Sequence, residues 1–455
     1  MIRMQLSQAA KAINASHRGA DVEFCGVSTD TRSLQTDNLF VALAGPHFDA
    51  HDFLAQAQAK GAAAAMVNKP SNTALPTLTV ADTRSGLAHL ASNWRGQFSL
   101  PLVAITGSNG KTTVKEMIAA ILHQVGPTLV TQGNLNNDIG LPLTLLRLDA
   151  SHRFAVIEMG ANHPGEIACL TDIARPSVAL ITNAGPAHLE GFGSLEGVAH
   201  AKGEIFAGLN AQGTAVLNAD DTFSALWRGL IGARRCLSFG LEHSADVSAH
   251  WKIQDGGNQL QVRTPAGDID IHLALPGRHN VMNALAASAA ALAAGAGLNE
   301  IKRGLEAMQP VKGRLQIKPG LCGARLIDDT YNANPGSLTA ALEVLAQEPA
   351  QQWLVLGDMA ELGSTGGAQH EAVGRQARSL GIDRLFTVGE LSRLAAAGFG
   401  SAARHFTGQE ELIAALRDEL AAAQPQQVSV LIKGSRSAGM ERVVAGLGAT
   451  PAAGV

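Results

Sequence analysis

The segment Val103–Leu122, VAITGSNGKTTVKEMIAAIL, constrains the fold more than any other part of this 455-residue sequence. Leu102–Ile105 is a short apolar run, and the apolar residues of Val114–Leu122 recur at helical spacing. A strand that passes through a tight glycine turn into the start of a helix directs backbone N–H groups at an anion. The segment therefore predicts an α/β fold that contains a phosphate-binding loop.

The residues of this loop have separate roles in that interpretation. Gly107 and Gly110 permit the backbone angles of the turn and a close approach to phosphate. Lys111 supplies positive charge to the β and γ phosphates, and Thr112 places a hydroxyl on magnesium. We therefore expect a nucleotide to contact the run Gly107, Ser108, Asn109, Gly110, Lys111, Thr112 and Thr113.

The loop is shorter than the widest form of this motif. Counting back from Lys111, Ile105 stands where a glycine or alanine is usual. The alternative is a plain glycine turn beside a surface lysine. The order of strand, loop and helix favours a nucleotide site, but the rest of the chain has to support it.

The length of the chain predicts several domains, because one core does not extend over so many residues. From about residue 100 onward, apolar runs alternate with helical patterns, which indicates parallel sheets covered by helices. We predict a small α/β domain at 1–82, a central parallel-sheet domain with the phosphate loop at 83–311, and a Rossmann-like domain at 312–455. Predicted strands of the last two are Leu102–Thr106, Phe154–Glu158, Val178–Asn183, Thr214–Asn218, Arg325–Asp328, Gln352–Gly357, Arg384–Gly389 and Val428–Lys433.

Composition excludes several classes of function. The net charge is -4 and no block of Lys or Arg occurs, so we expect no nucleic-acid partner. No uninterrupted apolar run reaches the roughly 18 residues of a membrane span, and residues 1–15 have the pattern of an amphipathic helix instead of a signal peptide. The cysteines are far apart and form no CxxC pair, which argues against a disulfide framework or a zinc site. We expect a cytoplasmic protein.

Three side chains beyond the loop are considered as metal ligands, each against an ordinary structural or surface role. Glu158 ends an apolar strand, where a carboxylate is well placed to hold magnesium. His188, in TNAGPAHLEGFGS, is either a structural histidine or a ligand. For Lys202, in AHAKGEIFAGL, composition alone favours a solvated surface lysine.

Two further segments combine capping with ligand-binding potential. In LPGRHNVMNALAA, Asn280 is placed to cap the following helix, to contact a ligand, or both. In LIDDTYNANPGSL, Asp329 is a candidate acceptor for ribose hydroxyls and Tyr331 a candidate to stack on a base. The alternative for the second segment is a polar turn before a helix that is capped near Asn334 and Pro335.

Together these stretches resemble the Mur ligase family of ATP-dependent amide-forming enzymes over nearly the whole chain. The motifs that carry the resemblance follow in the family's order: TGSNGKTT, EMGANHPGEI, TNAGPAHLEGFGS, AKGEIF, PGRHNVMNALAA, GRL, DDTYNANPGS, LGDMAELG and IKGSRSAGMERV. Ile105 is normal for the shortened loop of this family. Gly133–Pro142 and Ser28–Leu43 are most similar to the branch that adds D-alanyl-D-alanine to UDP-N-acetylmuramoyl-tripeptide.

The resemblance implies an ATP and magnesium site. Lys111, Glu158, His188 and Lys202 would be catalytic, and two Mg²⁺ ions would be held by Thr112, Glu158, His188 and Lys202. Lys202 would react with carbon dioxide to form a carbamate, which reverses the interpretation from composition. Asn280 would contact adenine or phosphate, and Arg314 and Asp329 would reach ATP when the domains close.

The resemblance also implies where the other substrates bind. Residues 1–82 would hold the uridine diphosphate through Ser28, Thr29 and Asp30, and Asn134, Asn136 and Asn137 would contact the muramoyl peptide. Residues 312–455 would present the dipeptide, with Lys433–Arg436 nearby. A monomer is expected.

Two alternatives remain open from the sequence. A sister ligase would add a different amino acid, although the Asp-Asn-Pro-Arg signature of the diaminopimelate or lysine branch is not found here. A nucleotide-driven switch would hydrolyse ATP without forming an amide, because fold alone does not fix function.

Overall fold

The computed structural model describes residues 1–46, 48–70, 72–186, 189–254, 256–423 and 428–449. These residues form an α/β structure with a separate sheet in each of three successive regions of the chain. In each region the central strands are buried on both faces, which explains why they are nearly continuous apolar runs.

The first region is built around a small mixed sheet of order β2-β9-β8-β5-β4. Parallel pairs join β4, β5, β8 and β9, and β2 is antiparallel to β9. The strands of this region are β1 Arg3–Gln5, β2 Ser16–Arg18, β3 Glu23–Cys25, β4 Val27–Ser28, β5 Leu39–Val41, β6 Ala44–Gly45, β7 Phe48–Asp49, β8 Ala64–Val67 and β9 Thr77–Thr79; β1 pairs with β3, and β6 with β7, outside the mixed sheet. The helices of the region are α1 Leu6–Ala12 and α2 Leu54–Ala59, with a 3₁₀ turn at Ala50–Phe53.

The central region is a parallel sheet of order β11-β12-β10-β13-β14-β15. Strand β10 lies inside the sheet, so the loop that follows it opens at the middle of the carboxyl edge. The elements are α3 Thr83–Arg95, β10 Leu102–Thr106, α4 Lys111–His123, β11 Thr128–Val130, α5 Gly140–Leu145, β12 Phe154–Glu158, α6 Glu166–Ala174, β13 Val178–Ile181, α7 Leu189–Phe192, α8 Leu195–Gly203, β14 Thr214–Asn218, α9 Ser224–Ile231 and β15 Arg235–Phe239, with a 3₁₀ turn at Glu204–Phe206.

An antiparallel meander and two helices complete the central region. The meander comprises β16 Ser248–Gln254, β17 Gly257–Thr264 and β18 Gly267–Leu273, and the helices are α10 Arg278–Ala293 and α11 Leu298–Glu306. Helix α10 is rich in alanine and almost entirely buried. Its small side chains allow it to pack closely against α4, the helix that begins at the phosphate loop.

The last region has a sheet of order β19-β20-β24-β21-β22-β23, in which β19 is antiparallel to β20 and the other pairs are parallel. Helices pack on both faces, in two apolar clusters. The elements are β19 Gln316–Pro319, β20 Arg325–Asp329, α12 Pro335–Leu345, β21 Gln351–Gly357, α13 Gly366–Ser379, β22 Arg384–Val388, α14 Ser392–Phe399, β23 Ala403–Phe406, α15 Gln409–Ala422, β24 Val428–Lys433 and α16 Glu441–Leu447, with 3₁₀ turns at Leu321–Gly323, Gly363–Thr365 and Arg436–Ala438.

The structure confirms the predicted α/β class, and the eight predicted strands of the last two regions are present within two residues at either end. The helix predicted over residues 1–15 is shorter, because Arg3–Gln5 pairs with Glu23–Cys25 before α1 begins. The meander β16–β18 was not predicted. The domain boundaries near residues 82 and 311 stay predictions. None of the described helices is long and apolar enough to cross a membrane.

The contact between α4 and α11 offers a test of this packing. A Cβ added at Gly304, in α11, would lie 2.5 Å from the Ile121 Cα and 2.6 Å from the Ile121 backbone nitrogen. We predict that Gly304→Ala lowers the free energy of unfolding by about 1–3 kcal/mol, because the two helices must separate. Denaturant unfolding of the full chain measures the change.

Gly229→Ala is the matched control, because a Cβ at this exposed position of α9 meets no atom within 4 Å. It should stabilise the protein by up to about 1 kcal/mol through helix propensity alone. Equal effects of the two substitutions would contradict the close packing of α4 on α11.

Candidate active site

The loop between β10 and α4 packs so closely on its neighbours that two of its positions admit only glycine. Gly107 and Gly110 have φ values of 149° and 81°. A Cβ at Gly107 would lie 1.9 Å from the Thr182 Oγ1, and one at Gly110 would lie 2.5 Å from the Asn283 Oδ1. The predicted strand, turn and helix are therefore present, and N–H groups at the start of α4 face the carboxyl edge of the sheet.

Lys111 folds back over this loop. Its Nζ donates hydrogen bonds to the Gly107 carbonyl oxygen at 2.6 Å and to the Ser108 carbonyl oxygen at 3.4 Å. Burial lowers the pKa of Lys111, Glu158 opposes the shift, and Arg314 adds to it. An anion bound in the loop would therefore favour the charged form of this lysine.

Glu158, at the end of β12, has one carboxylate oxygen without a hydrogen-bond partner in the described residues. This oxygen, Oε2, is buried, whereas Oε1 accepts a 2.9 Å hydrogen bond from the Asn136 Nδ2. The Glu158 backbone N–H donates to the Thr131 Oγ1 at 3.0 Å. A buried carboxylate oxygen without a hydrogen bond is costly, and it is the donor type that Mg²⁺ prefers. The site therefore fits a magnesium ion.

Lys115 is a part of this site that the sequence reasoning missed. Its Nζ donates to the Thr131 carbonyl oxygen at 2.9 Å and lies 3.9 Å from the Glu158 Oε2. Its side chain is 1% exposed. Because Lys115 follows Lys111 by four residues, both lie on one face of α4, and this spacing was a signal that would have found it.

In the part of the chain that the structure describes, two side chains of the last region donate hydrogen bonds to the phosphate loop. The Arg314 Nη2 donates to the Thr112 Oγ1 at 3.1 Å, and its guanidinium lies over the Tyr331 ring at 4.3 Å. The Asn334 Nδ2 donates to the Asn109 Oδ1 at 2.8 Å. The structure therefore brings Arg314 and Tyr331 to the loop. The predicted stacking of a base on Tyr331 stays a prediction.

Asp329 is buried, and both of its carboxylate oxygens accept hydrogen bonds within the protein. Its Oδ2 accepts a 2.5 Å hydrogen bond from the Lys433 Nζ, and its Oδ1 accepts one from the Leu315 backbone N–H. The nearby His279 has its pKa lowered to about 4 by burial, with the Asp329 charge opposing and the Lys433 charge adding to the shift. At neutral pH this histidine is therefore an uncharged neighbour of the ion pair.

Asn280 is not a helix cap, so that expectation is wrong. Helix α10 begins at Arg278, with Gly277 at the cap position, and Asn280 is its third residue. The Asn280 Nδ2 donates to the Pro276 carbonyl oxygen, and its Oδ1 accepts from the Asn283 Nδ2. By contrast, the helix predicted to be capped near Asn334 and Pro335 begins with a capping box at that place.

Lys202, at the end of α8, is 1% exposed, so the expectation of a solvated surface lysine is wrong. Burial lowers its pKa to about 7; Lys111 adds to the shift, and Glu166 and Glu204 oppose it. Its Nζ lies 5.3 Å from the centre of the Phe192 ring. Much of Lys202 is therefore a neutral amine near pH 7, which is the form that reacts as a nucleophile.

His188 lies outside the described residues. Across the ranges that the structure describes, no group of three or more His, Cys, Asp and Glu side chains is placed to hold a metal ion. Of the predicted ligands that the structure describes, Glu158 and the Thr112 hydroxyl offer oxygens to a metal at this edge.

The predicted substrate residues divide into two groups. Ser28, Thr29 and Asp30 do not line the cavity that is lined by Asn134, Asn136 and Asn137. Asp30 pairs with Arg32, which lowers its pKa, and the Ser28 Oγ donates to the Asp30 carbonyl oxygen.

The side chains of two of the three asparagines already form hydrogen bonds within the protein. Asn136 supports Glu158, and the Asn137 Oδ1 accepts from the Gly140 N–H at the start of α5. Their contacts to a peptide stay predictions.

A cavity of about 1260 Å³ joins these parts. It is lined by the phosphate loop, by Glu158 and by residues from the start of α10 and from the last region. The predicted residues that line it are Ser108, Asn109, Gly110, Lys111, Thr112, Thr113, Asn134, Asn136, Asn137, Glu158, Asn280, Arg314, Asp329 and Tyr331. Its size suits a nucleotide together with part of a second substrate.

Comparison with known proteins decides the family. The Mur ligase middle domain matches residues 105–291, and the Mur ligase, glutamate ligase domain matches residues 313–436. The UDP-N-acetylmuramoyl-tripeptide–D-alanyl-D-alanine ligase of Escherichia coli (strain K12) is 48% identical over 449 residues, which is 98% of this chain and 99% of that protein.

The chain belongs to the Mur ligase family.

Solved structures of the family agree with this fold. MurF from Acinetobacter baumannii is 39% identical, with a TM-score of 0.94 over 98% of each chain. MurF ligase from Thermotoga maritima, solved in complex with ADP, is 27% identical with a TM-score of 0.82, over 92% of this chain and 96% of that one. This Mur ligase is therefore an ATP-dependent ligase with the three-part α/β layout that the sequence predicts.

The lowered pKa of His279 predicts how stability changes with pH. Its ordinary value is 6.5 and its folded value about 4. Between these values the unfolded chain binds a proton that the folded chain does not, so stability should fall as pH is lowered from 6.5 towards 4. We expect His279→Gln to weaken this dependence, measured by denaturant unfolding at pH 7.5, 6, 5 and 4.5.

His89→Gln, at an exposed position of α3, is the control for removing a histidine. A wild-type curve that matches His279→Gln at every pH would refute the neutral state of His279 in the folded protein.

Proposed function

We propose that this Mur ligase joins D-alanyl-D-alanine to UDP-N-acetylmuramoyl-tripeptide and converts ATP to ADP and phosphate, as a step of peptidoglycan precursor synthesis. The observation that carries the proposal is the cavity in which the phosphate loop, Glu158 with an oxygen that has no hydrogen-bond partner in the described residues, and Arg314 meet. Relatives with this named activity match nearly the whole chain. We expect a cytoplasmic monomer.

The chemistry follows from the poor reactivity of a carboxylate. The terminal carboxylate of the tripeptide attacks the γ phosphorus of ATP, forms an acyl phosphate and displaces ADP. The free amine of D-alanyl-D-alanine then attacks the acyl carbon, loses a proton and displaces phosphate, which leaves an amide. Both reactants of the first step are anions, so most of the catalysis should come from positive charge held at the transferring phosphoryl group.

The residues around the loop would supply that charge. Lys111 would contact the β and γ phosphates, and Arg314 would approach them from the last region. Thr112 and Glu158 would hold a Mg²⁺ ion, which would neutralise charge on the phosphates. Asn280 would contact the adenine or a phosphate, Asp329 the ribose and Tyr331 the base.

Lys202 and His188 would belong to a second magnesium site. The buried Lys202 amine, with its pKa lowered to about 7, would add to the carbon of carbon dioxide and lose a proton to become a carbamate. This anion would ligate the metal or orient its waters, whereas the ammonium form would repel it.

The remaining assignments follow the three parts of the chain. Residues 1–82 would bind the uridine diphosphate through Ser28, Thr29 and Asp30. Residues 83–311 would bind ATP, with Asn134, Asn136 and Asn137 facing the muramoyl peptide. Residues 312–455 would present the dipeptide near Lys433.

Isotope transfer tests the reaction directly. With ¹⁸O in the terminal carboxylate of the tripeptide, we expect one labelled oxygen in the released phosphate for each amide formed, because that oxygen becomes the bridge of the acyl phosphate. Mass spectrometry of both products measures the ratio. Unlabelled phosphate would refute the acyl phosphate.

Two controls separate the alternatives. Turnover with diaminopimelate as the amine donor and none with D-alanyl-D-alanine would identify a sister ligase. ATP hydrolysis that is unaffected by any UDP-linked peptide would identify a nucleotide-driven switch.

Lys111→Ala should reduce ATP turnover by at least about 100-fold, because electrostatic stabilisation of the transferring phosphoryl group is lost. The fold should persist, since among the described residues the Lys111 side chain donates hydrogen bonds to carbonyls of its own loop alone. Phosphate release and circular dichroism measure the two effects. Lys252→Ala, on the exposed strand β16, controls for loss of a lysine, and retained turnover in Lys111→Ala would contradict the loop assignment.

Lys202→Ala should lose activity and regain part of it with small carboxylates such as formate or acetate, which replace the carbamate oxygens in the vacated space. Steady-state phosphate release against carboxylate concentration measures the rescue. Lys111→Ala should show no rescue, which excludes a general salt effect. Absence of rescue in Lys202→Ala would argue against the carbamate.

A further inference from the structure

Asn109 and Asn334 form a hydrogen bond between the phosphate loop and the last region, across 225 residues of sequence. The Asn334 Nδ2 donates to the Asn109 Oδ1 at 2.8 Å, and both side chains are half-buried in the wall of the cavity. The Gly336 backbone is also close to the Asn109 side chain, because a Cβ at Gly336 would lie 3.3 Å from the Asn109 Nδ2.

The capping box of α12 fixes the direction of this hydrogen bond. The Asn334 Oδ1 accepts from the Ser337 backbone N–H at 2.8 Å, and the Ser337 Oγ accepts from the Asn334 backbone N–H at 3.0 Å. Since the amide oxygen of Asn334 serves the cap, its NH₂ group faces Asn109. The start of α12 is therefore oriented by the same side chain that reaches the loop.

On the other side, Asn109 is held rigidly by the central sheet. Its N–H donates to the Asn183 Oδ1 at 2.9 Å, and its carbonyl oxygen accepts from the Thr182 Oγ1 at 2.6 Å and from the Asn183 Nδ2 at 3.2 Å. A residue fixed by three such bonds has little freedom to follow a partner that moves away. The contact with Asn334 therefore forms only when the last region is seated on the loop.

The hydrogen bond from Arg314 to Thr112, which also joins the last region to the loop, cannot persist throughout the reaction. The Thr112 hydroxyl that accepts from Arg314 is the proposed magnesium ligand, and an oxygen that faces Mg²⁺ is a poor partner for a guanidinium. Arg314 would therefore leave Thr112 when MgATP binds. The Asn109–Asn334 contact involves neither group and is able to persist.

We propose that the Asn109–Asn334 contact is a positioning contact that keeps the last region seated on the loaded phosphate loop, so that the dipeptide amine reaches the acyl phosphate before water does. This inference rests on the proposed function, because it concerns how the acyl phosphate is divided between amine and water. Asn334 and Asn109 act by orienting the two regions and do not touch the reacting atoms.

The test separates this contact from the helix cap. In Asn334→Ser the hydroxyl still caps α12, since serine is about as good a cap as asparagine, but it is too short to reach Asn109. Asn109→Ala removes the same contact from the other side, and the double variant completes a cycle. Asn334→Ala, which loses cap and contact together, shows what loss of the cap adds to the thermal midpoint.

The full-length enzyme is assayed with ATP, Mg²⁺, the UDP-linked tripeptide and D-alanyl-D-alanine. For Asn334→Ser and Asn109→Ala we expect kcat/KM for the dipeptide to fall by about threefold to tenfold, the range for one lost hydrogen bond. We also expect more than one phosphate released for each amide formed, because stranded acyl phosphate hydrolyses. The double variant should be no worse than either single variant, and the thermal midpoint of Asn334→Ser should stay near that of wild type.

Two results would overturn the inference while the proposed function stands: one phosphate per amide in Asn334→Ser, or a double variant whose loss equals the product of the single losses. Failure of the wild-type enzyme to form the amide would instead overturn the proposed function, and this inference with it.

Discussion

The rest of the site depends on how closely the loop after β10 packs against the end of β13. The backbone of Gly107 lies so near Thr182 that no side chain fits between them, and Thr182 and Asn183 bond both polar groups of the Asn109 backbone. Because the loop is fixed before any ligand arrives, its N–H groups need little reorganisation to meet a phosphate. Such preorganisation is the main source of electrostatic catalysis in transfer reactions.

The buried side chains around that loop carry an excess of positive charge, which favours an anionic ligand. Lys111 lines the cavity, and the buried Lys115 and Lys202 lie near its neighbours: the Lys115 Nζ is 3.0 Å from the Glu116 Oε1 and 3.9 Å from the Glu158 Oε2, and the charge of Lys111 acts on Lys202. Burial lowers the pKa of Lys111 and of Lys202, and each is further disfavoured by a neighbouring cation. A polyphosphate would relieve this repulsion, whereas a neutral ligand would leave it in place. The arrangement therefore selects for the charge of its ligand before it selects for shape.

Sequence was sufficient where the signal was local. The strand, glycine turn and helix around Lys111 are specified by adjacent residues, and so is the cap at Asn334, because Pro335 and Ser337 complete a known helix start. It was insufficient where three-dimensional packing decides. Lys202 resembles a surface lysine in composition, yet α8 places it in the interior. Asn280 falls inside α10 because that helix begins three residues earlier than a cap there would require. The hydrogen bonds of Arg314 to Thr112 and of Asn334 to Asn109 join residues more than 200 positions apart. A local sequence pattern does not predict contacts between residues so far apart.

These long-range bonds explain why a site of this kind is divided between two regions. A reactive acyl phosphate needs a dry cavity, but its substrates have to enter and its products to leave, so at least one wall must be movable. Polar contacts suit such a wall, since the groups of Arg314, Asn334 and their partners are able to bond to water when the regions part. An apolar interface of the same size would favour the closed state too strongly for rapid release. The polar character of the contact thus follows from the need to open once in every turnover.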